Sequence, residues 1–164
     1  ISGISSASPA TLTSGEEIIA ALRAATTKMD EDEVPFEDRH LFITPTLDGM
    51  IMDLDTTKSK EVLSRFATKT LVPQTRFYTA IKLKSGKTSE EVGGYEKEGS
   101  SGKDINFMVI HKPAVIQFEK HIAPKIITPD INQDADAYKF GYRNVGIADA
   151  YENKVAGIYL HNKE

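Results

Sequence analysis

The chain contains no cysteine and no tryptophan among its 164 residues. The first absence removes thiol nucleophiles, thiolate metal sites, Cys-x-x-Cys redox chemistry and disulfide frameworks together, although it fixes no compartment. There is no excess of positive charge either: 20 Lys and Arg stand against 24 Asp and Glu, a formal net charge of −4. A dedicated nucleic-acid binder has the opposite balance, because its affinity rests on Lys and Arg at phosphates. No apolar run approaches the roughly 20 residues that span a bilayer. The Ser-, Gly- and Pro-rich opening lacks the basic and apolar regions of a signal peptide. What is present, 40% hydrophobic and 27% charged residues, fits a soluble globular chain of one domain or one domain with an extension.

The first residue is Ile1 and not Met, which leads us to expect a piece of something longer. Residues 1–12 read as a flexible arm or linker. Thr13-Ser14-Gly15-Glu16 has the pattern of a capping box, and behind it Ile18, Ala21, Leu22, Ala25 and Met29 recur at helical spacing. The helix is expected to end near Met29, because the run Asp30-Glu31-Asp32-Glu33 sits badly against the negative end of a helix dipole. Leu41-Phe42-Ile43 predicts a short strand. Leu47, Met50, Ile51 and Leu54 predict a weak helix, and a further helical turn is expected around Val62 to Phe66.

From Phe77 to Lys84 the alternation predicts a half-buried strand, with Ile81 and Leu83 inward. Residues 85–103, rich in glycine and charge, predict a long loop or mobile hairpin. Ile105–Ile110 predicts a central strand, and Pro113 is expected to open a helix that runs to about His121. Lys125–Thr128, Tyr138–Tyr142 and Ala156–Leu160 predict three more strands, with a turn at Asn153 and Lys154. This tally is an α+β fold.

Patterns that resemble functional motifs do not complete themselves. Asp130, Asn132, Asp134 and Asp136 alternate like the first half of a calcium loop, but Ala135 and Gly141 stand where Gly and a bidentate Glu are required. A solvated turn is the stronger reading. Gly99-Ser100-Ser101-Gly102-Lys103 is similar to a phosphate-binding loop only in part, since Lys97 replaces its first Gly and Asp104 its Ser or Thr. His40, His111, His121 and His161 show no zinc spacing. The residues therefore assign no catalytic group, no cofactor and no metal. Lys82, Lys84 and Lys87 form a basic cluster without interleaved aromatics. The acidic residues Asp30, Glu31, Asp32 and Glu33 are candidates for contact with a neighbouring subunit.

From residue 10 onward four blocks occur in an order that resembles the C-terminal portion of the major capsid proteins of tailed bacteriophages and prophages. They are KMDEDEVPFEDRHLFITPTL, LVPQTRFYT, INFMVIHKPAVIQFEKHIAPKIITPD and DADAYKFGYRNVGIADAYENKVAGIYLH. The resemblance implies the Hong Kong phage capsid fold, with a spine helix, a peripheral domain and an axial domain containing a mixed or antiparallel sheet. By that analogy residues 13–104 supply the spine helix and a peripheral-domain-like region, and 105–164 an axial-domain-like region.

The role implied is structural, without catalysis or cofactor: many copies close into an icosahedral shell around the packaged DNA. The implied partners are other copies of the chain and a scaffold protein, with no specific nucleic-acid recognition and no membrane. The implied place is the virion capsid, assembled in the cytoplasm of a bacterial host. Three other readings stay open at this stage: a tail or head-completion protein, a small enzyme using His111 with Asp130 or Asp149, and a secreted binding module.

Overall fold

The computed structural model describes residues 4–54, 57–87 and 92–164. Two compact units emerge, one of Ile1–Ala114 with Glu152–Glu164 and the other of Val115–Tyr151. The first is built on a five-stranded sheet in the order β1-β9-β6-β2-β3. Its strands are β1 (Ser5–Ser6), β2 (Arg39–Ile43), β3 (Thr68–Leu71), β6 (Ile105–His111) and β9 (Ile158–Asn162). The pairings of β1 with β9 and of β2 with β3 are parallel. Those of β6 with β2 and with β9 are antiparallel, so the sheet is mixed. The INFMVI run therefore does form the central strand.

Helix α1 (Gly15–Glu31) covers one face of that sheet. Its stripe of Ile18, Leu22, Ala25 and Met29 is fully buried against Leu41 and Ile43 of β2, Phe107 and Val109 of β6, and Tyr159 of β9. The strand residues alternate as a one-sided core demands. Leu47 and Ile51 of α2 (Pro45–Met52) close one end of the same core. Gly15 is required where α1 begins, because a Cβ there would lie 2.5 Å from the Met50 carbonyl oxygen and 2.6 Å from the Leu54 side chain. A third helix, α3 (Thr57–Ser64), follows.

The capping box lies one residue later than Thr13 and Glu16 predict. Ser14 is the N-cap, its hydroxyl accepts from the Glu17 amide at 3.3 Å, and the Glu17 carboxylate accepts from the Ser14 amide. Hydrogen bonds from the Thr13 amide and hydroxyl, and then the one from the Ser14 amide, lower the pKa of the Glu17 carboxyl. The helix also runs past Met29 to Glu31, because cations reach its acidic end. Lys28 pairs with Asp32 at 2.7 Å. Asp30 receives Arg39 at 2.7 Å and Arg65 at 3.2 Å.

Residues 4–12 are tied to the sheet. The Ala7 and Ala10 amides donate to the carbonyls of Leu160 and Asn162, and the Asn106 side chain donates to the Ala10 carbonyl at 2.8 Å. The expected half-buried strand at 77–84 reduces to β4 (Ile81–Lys84), paired only with β5 (Gly94–Lys97). No layer of the described residues covers this two-stranded piece, and Leu83 is 76% exposed where burial is expected. Within the segment 85–103, residues 88–91 lie outside the described residues.

The helix expected from Pro113 to His121 is not formed. A short 3-10 turn (Lys112–Ala114) leads directly into β7 (Val115–Ile127), which pairs antiparallel with β8 (Lys139–Ala150). Val115, Ile116, Phe118 and Glu119 fit either spacing, and long-range pairing with β8 decides for the strand. Pro124 is tolerated because β7 has a partner on one side only. This hairpin is the whole of the second unit.

Candidate interaction surface

The β7–β8 hairpin carries a row of large apolar side chains that are exposed. Phe118 and Ile147 are each 59% exposed, and Phe140 is 73% exposed. Their placement depends on one residue. Glu119 pairs with Gly146 and His121 with Val145, so Lys120 is an extra residue on β7, a β-bulge. A bulge reverses which face the following residues occupy.

On β7 the apolar residues keep a single alternation through the bulge: Ile116, Phe118, Ile122, Ile126. On β8 they change alternation, from Phe140 and Tyr142 to Val145 and Ile147. The bulge is what brings the two series together. Phe118 lies opposite Ile147, with Ile116 and Val145 on the same face, and these form a patch at the base of the hairpin. Ile126 lies opposite Phe140 and Pro124 opposite Tyr142, and these form a second patch, near the tip, on the reverse face. Tyr138 extends the tip patch by stacking on Phe140, ring centroids 6.3 Å apart.

Charge is divided less cleanly, since Asp149 stands on the base-patch face opposite Ile116. Arg143 and Lys125 share the face of the base patch and continue it toward the tip. Lys139, further along, pairs with Asp134 in the loop at 2.8 Å. That loop is a turn: the Asn132 side-chain amide donates to the Ala137 carbonyl and its oxygen accepts from the Asp134 amide. Among the described residues there is no cluster of three or more ligands that could hold a metal ion. No described helix is long and apolar enough to cross a membrane.

The acidic run is brought into a structured turn between α1 and β2, and its members part company there. Asp30 is held by Arg39 and Arg65, and Asp32 by Lys28 and by the Ser5 hydroxyl at 3.4 Å. Glu31 and Glu33 point outward, exposed, with Glu37 and Asp38. Phe36, 72% exposed, stands among them. Arg39 fixes the turn from inside. Fully buried, it donates to the carbonyls of Pro35, Val34 and Thr26 as well as to Asp30. Glu33 and Asp38 complete the bend in the left-handed region, at φ 57° and 55°.

The histidines are scattered. His161 is buried, its ring stacked on Phe107 at 5.0 Å and its Nδ1 3.0 Å from the Asn106 side-chain nitrogen, and burial lowers its pKa. His40 meets the Thr68 hydroxyl at 2.7 Å. His111 lines a hollow of about 310 Å³ with Asp32, Glu33, Pro35 and Lys154. Burial and then the Arg39 charge lower its pKa. Among the described residues its ring makes no hydrogen bond to a carboxylate.

These features describe an α+β unit and a separate hairpin that carries two exposed apolar patches. No family model matches the chain, and no curated protein matches it in sequence. Solved structures do match it in fold. The capsid structure of the cyanophage P-SCSP1u superposes with a TM-score of 0.63 at 16% identity, over 98% of this chain and 52% of that one. A chain of a Mycobacterium phage Che8 structure gives 0.57 at 8% identity, over 96% of this chain and 53% of that one. The chain has the fold of these phage structures, the capsid fold expected from its four blocks, and spans about half the length of each.

Proposed function

We propose that this chain is part of the structural subunit of a tailed-phage or prophage capsid, one of many copies that close into an icosahedral shell around packaged DNA. The observation that carries this reading is the fold match over 98% of the chain to a cyanophage capsid structure. The hairpin supports it independently, since exposed apolar patches of this extent mark surfaces that are covered on assembly. Its partners are other copies of itself, aided by a scaffold protein. The role is mechanical: no residue here is assigned to catalysis, and DNA is enclosed without specific recognition, which a net charge of −4 accommodates. Assembly takes place in the cytoplasm of the bacterial host and the product is the virion capsid.

Electron microscopy of particles formed on expressing the full open reading frame, with and without the neighbouring scaffold gene, tests this. Closed shells of uniform diameter are expected. Soluble subunits that never assemble, even with scaffold supplied, would overturn the reading in favour of a tail or head-completion component.

A further inference from the structure

We propose that the base patch of the β7–β8 hairpin docks onto the 31–38 turn of a second copy of this chain. In this contact Phe36 of one copy enters the patch of the other, while Arg143 and Lys125 meet Glu33 and Glu37. The proposal rests on the shell-subunit reading for the supply of copies, but its chemistry comes from the two surfaces.

Each surface has an apolar centre beside charge of mainly one sign: the tipward side of the hairpin patch carries Arg143 and Lys125, with Asp149 opposite Ile116 at its other end, and the turn carries carboxylates alone. On the hairpin, Phe118 and Ile147 lie directly across from each other with Val145 beside them. Arg143 follows on the same face, about 7 Å along the strand from Val145. Neither Arg143 nor Lys125 has a carboxylate partner among the described residues. On the turn, Phe36 is an exposed aromatic flanked by exposed Glu33 and Glu37. These carboxylates remain outside after Asp30 and Asp32 have been neutralised within the chain. An aromatic anchor entering an apolar patch, beside complementary charge, is the ordinary anatomy of a specific interface.

Two further observations select this pairing. The Arg39 clamp holds the 31–38 turn in one conformation before any partner arrives, so little ordering remains to be done on binding. The reverse face of the hairpin is the wrong sign for the turn. Its apolar patch adjoins the loop that carries Asp130, Asp134 and Asp136, and its base half carries Glu119. Copies that each bear a net −4 repel at long range. The opposite charges beside the two apolar centres therefore set the orientation in which two copies can meet.

The test is charge complementation between two chains, followed by sedimentation velocity. K125E/R143E is expected to weaken self-association at least roughly tenfold, and E33K/E37K to do the same. Mixing the two variants should restore it, because the acidic hairpin of one then meets the basic turn of the other. F36A should also lose association, while its melting temperature and that of both charge variants stay at the wild-type value.

Wild-type association by K125E/R143E overturns the proposal, and so does a mixture no better than either variant alone. A wild-type chain that stays monomeric at its highest soluble concentration overturns it too. The readout requires no closed shell. Shells that form normally in the charge variants sink this contact and leave the capsid reading standing, and complementation without shells does the reverse.

Discussion

Arg39 shows how much structure one buried charge can organise. Its guanidinium reaches three backbone carbonyls and the Asp30 carboxylate at 2.7 Å, at the point where α1 turns into β2. Replacing it by Met keeps the stem but leaves those acceptors without their donor, and the expected cost is about 3 kcal/mol. Urea denaturation measures this directly, and a loss below about 1 kcal/mol would show that water takes over the donor role.

His161 makes a second residue-scale statement, about pH. Asn106 donates from one nitrogen to the Ala10 carbonyl and faces His161 Nδ1 at 3.0 Å, which fits a neutral ring accepting there. Burial lowers the His161 pKa below the ordinary 6.5, so the unfolded chain binds the proton more tightly than the folded one. Its stabilising contribution is complete above pH 6.5 and is lost as pH falls through the lowered value. His111 is shifted in the same direction. Stability should therefore fall between pH 7.5 and 5.5, by at most about 1.4 kcal/mol per pH unit for each group. H161F should flatten that slope in parallel denaturations, and an unchanged slope would remove His161 from the account.

At the scale of elements, the sequence was readable where periodicity is local and misleading where pairing is distant. The stripe on α1 and the run in β6 speak for themselves, because each packs against one covered face. The capping box was displaced by one residue because Thr13 and Ser14 are both able caps, and only the helix geometry chooses between them. The 113–121 segment predicts a helix and forms a strand because its apolar spacing fits both periods, and its partner strand lies more than 20 residues away. The bulge at Lys120 leaves a trace in the sequence. The apolar positions of β8 switch alternation after Tyr142 while those of β7 do not, and the two can share faces only if one strand carries an extra residue. The candidate contact at 30–33 was legible as charge alone. That Asp30 and Asp32 are paired within the chain while Glu33 and Phe36 are left outside depends on Arg39, Arg65 and Lys28, and this required the fold.

At the scale of the molecule, the two units differ in what holds them. The first has a sheet with α1 laid across it and a closed apolar core. The second is a two-stranded hairpin, and such hairpins are marginal in water without a third strand or a covering layer. Among the described residues its outer backbone edges have no strand partner, and its apolar side chains are exposed. Stability should therefore be uneven along the chain. In the isolated protein, amide hydrogens of β7 and β8 should exchange roughly a hundredfold faster than those of β2 and β6, which corresponds to an opening about 3 kcal/mol easier. In assembled particles the difference should shrink, and it should shrink first at 116–118 and 145–147, where the base patch lies. Hydrogen exchange followed by mass spectrometry resolves these peptides in both states. If β7 and β8 were as protected as β6 before assembly, the hairpin would be stable on its own, and its exposed apolar patches would no longer imply a partner.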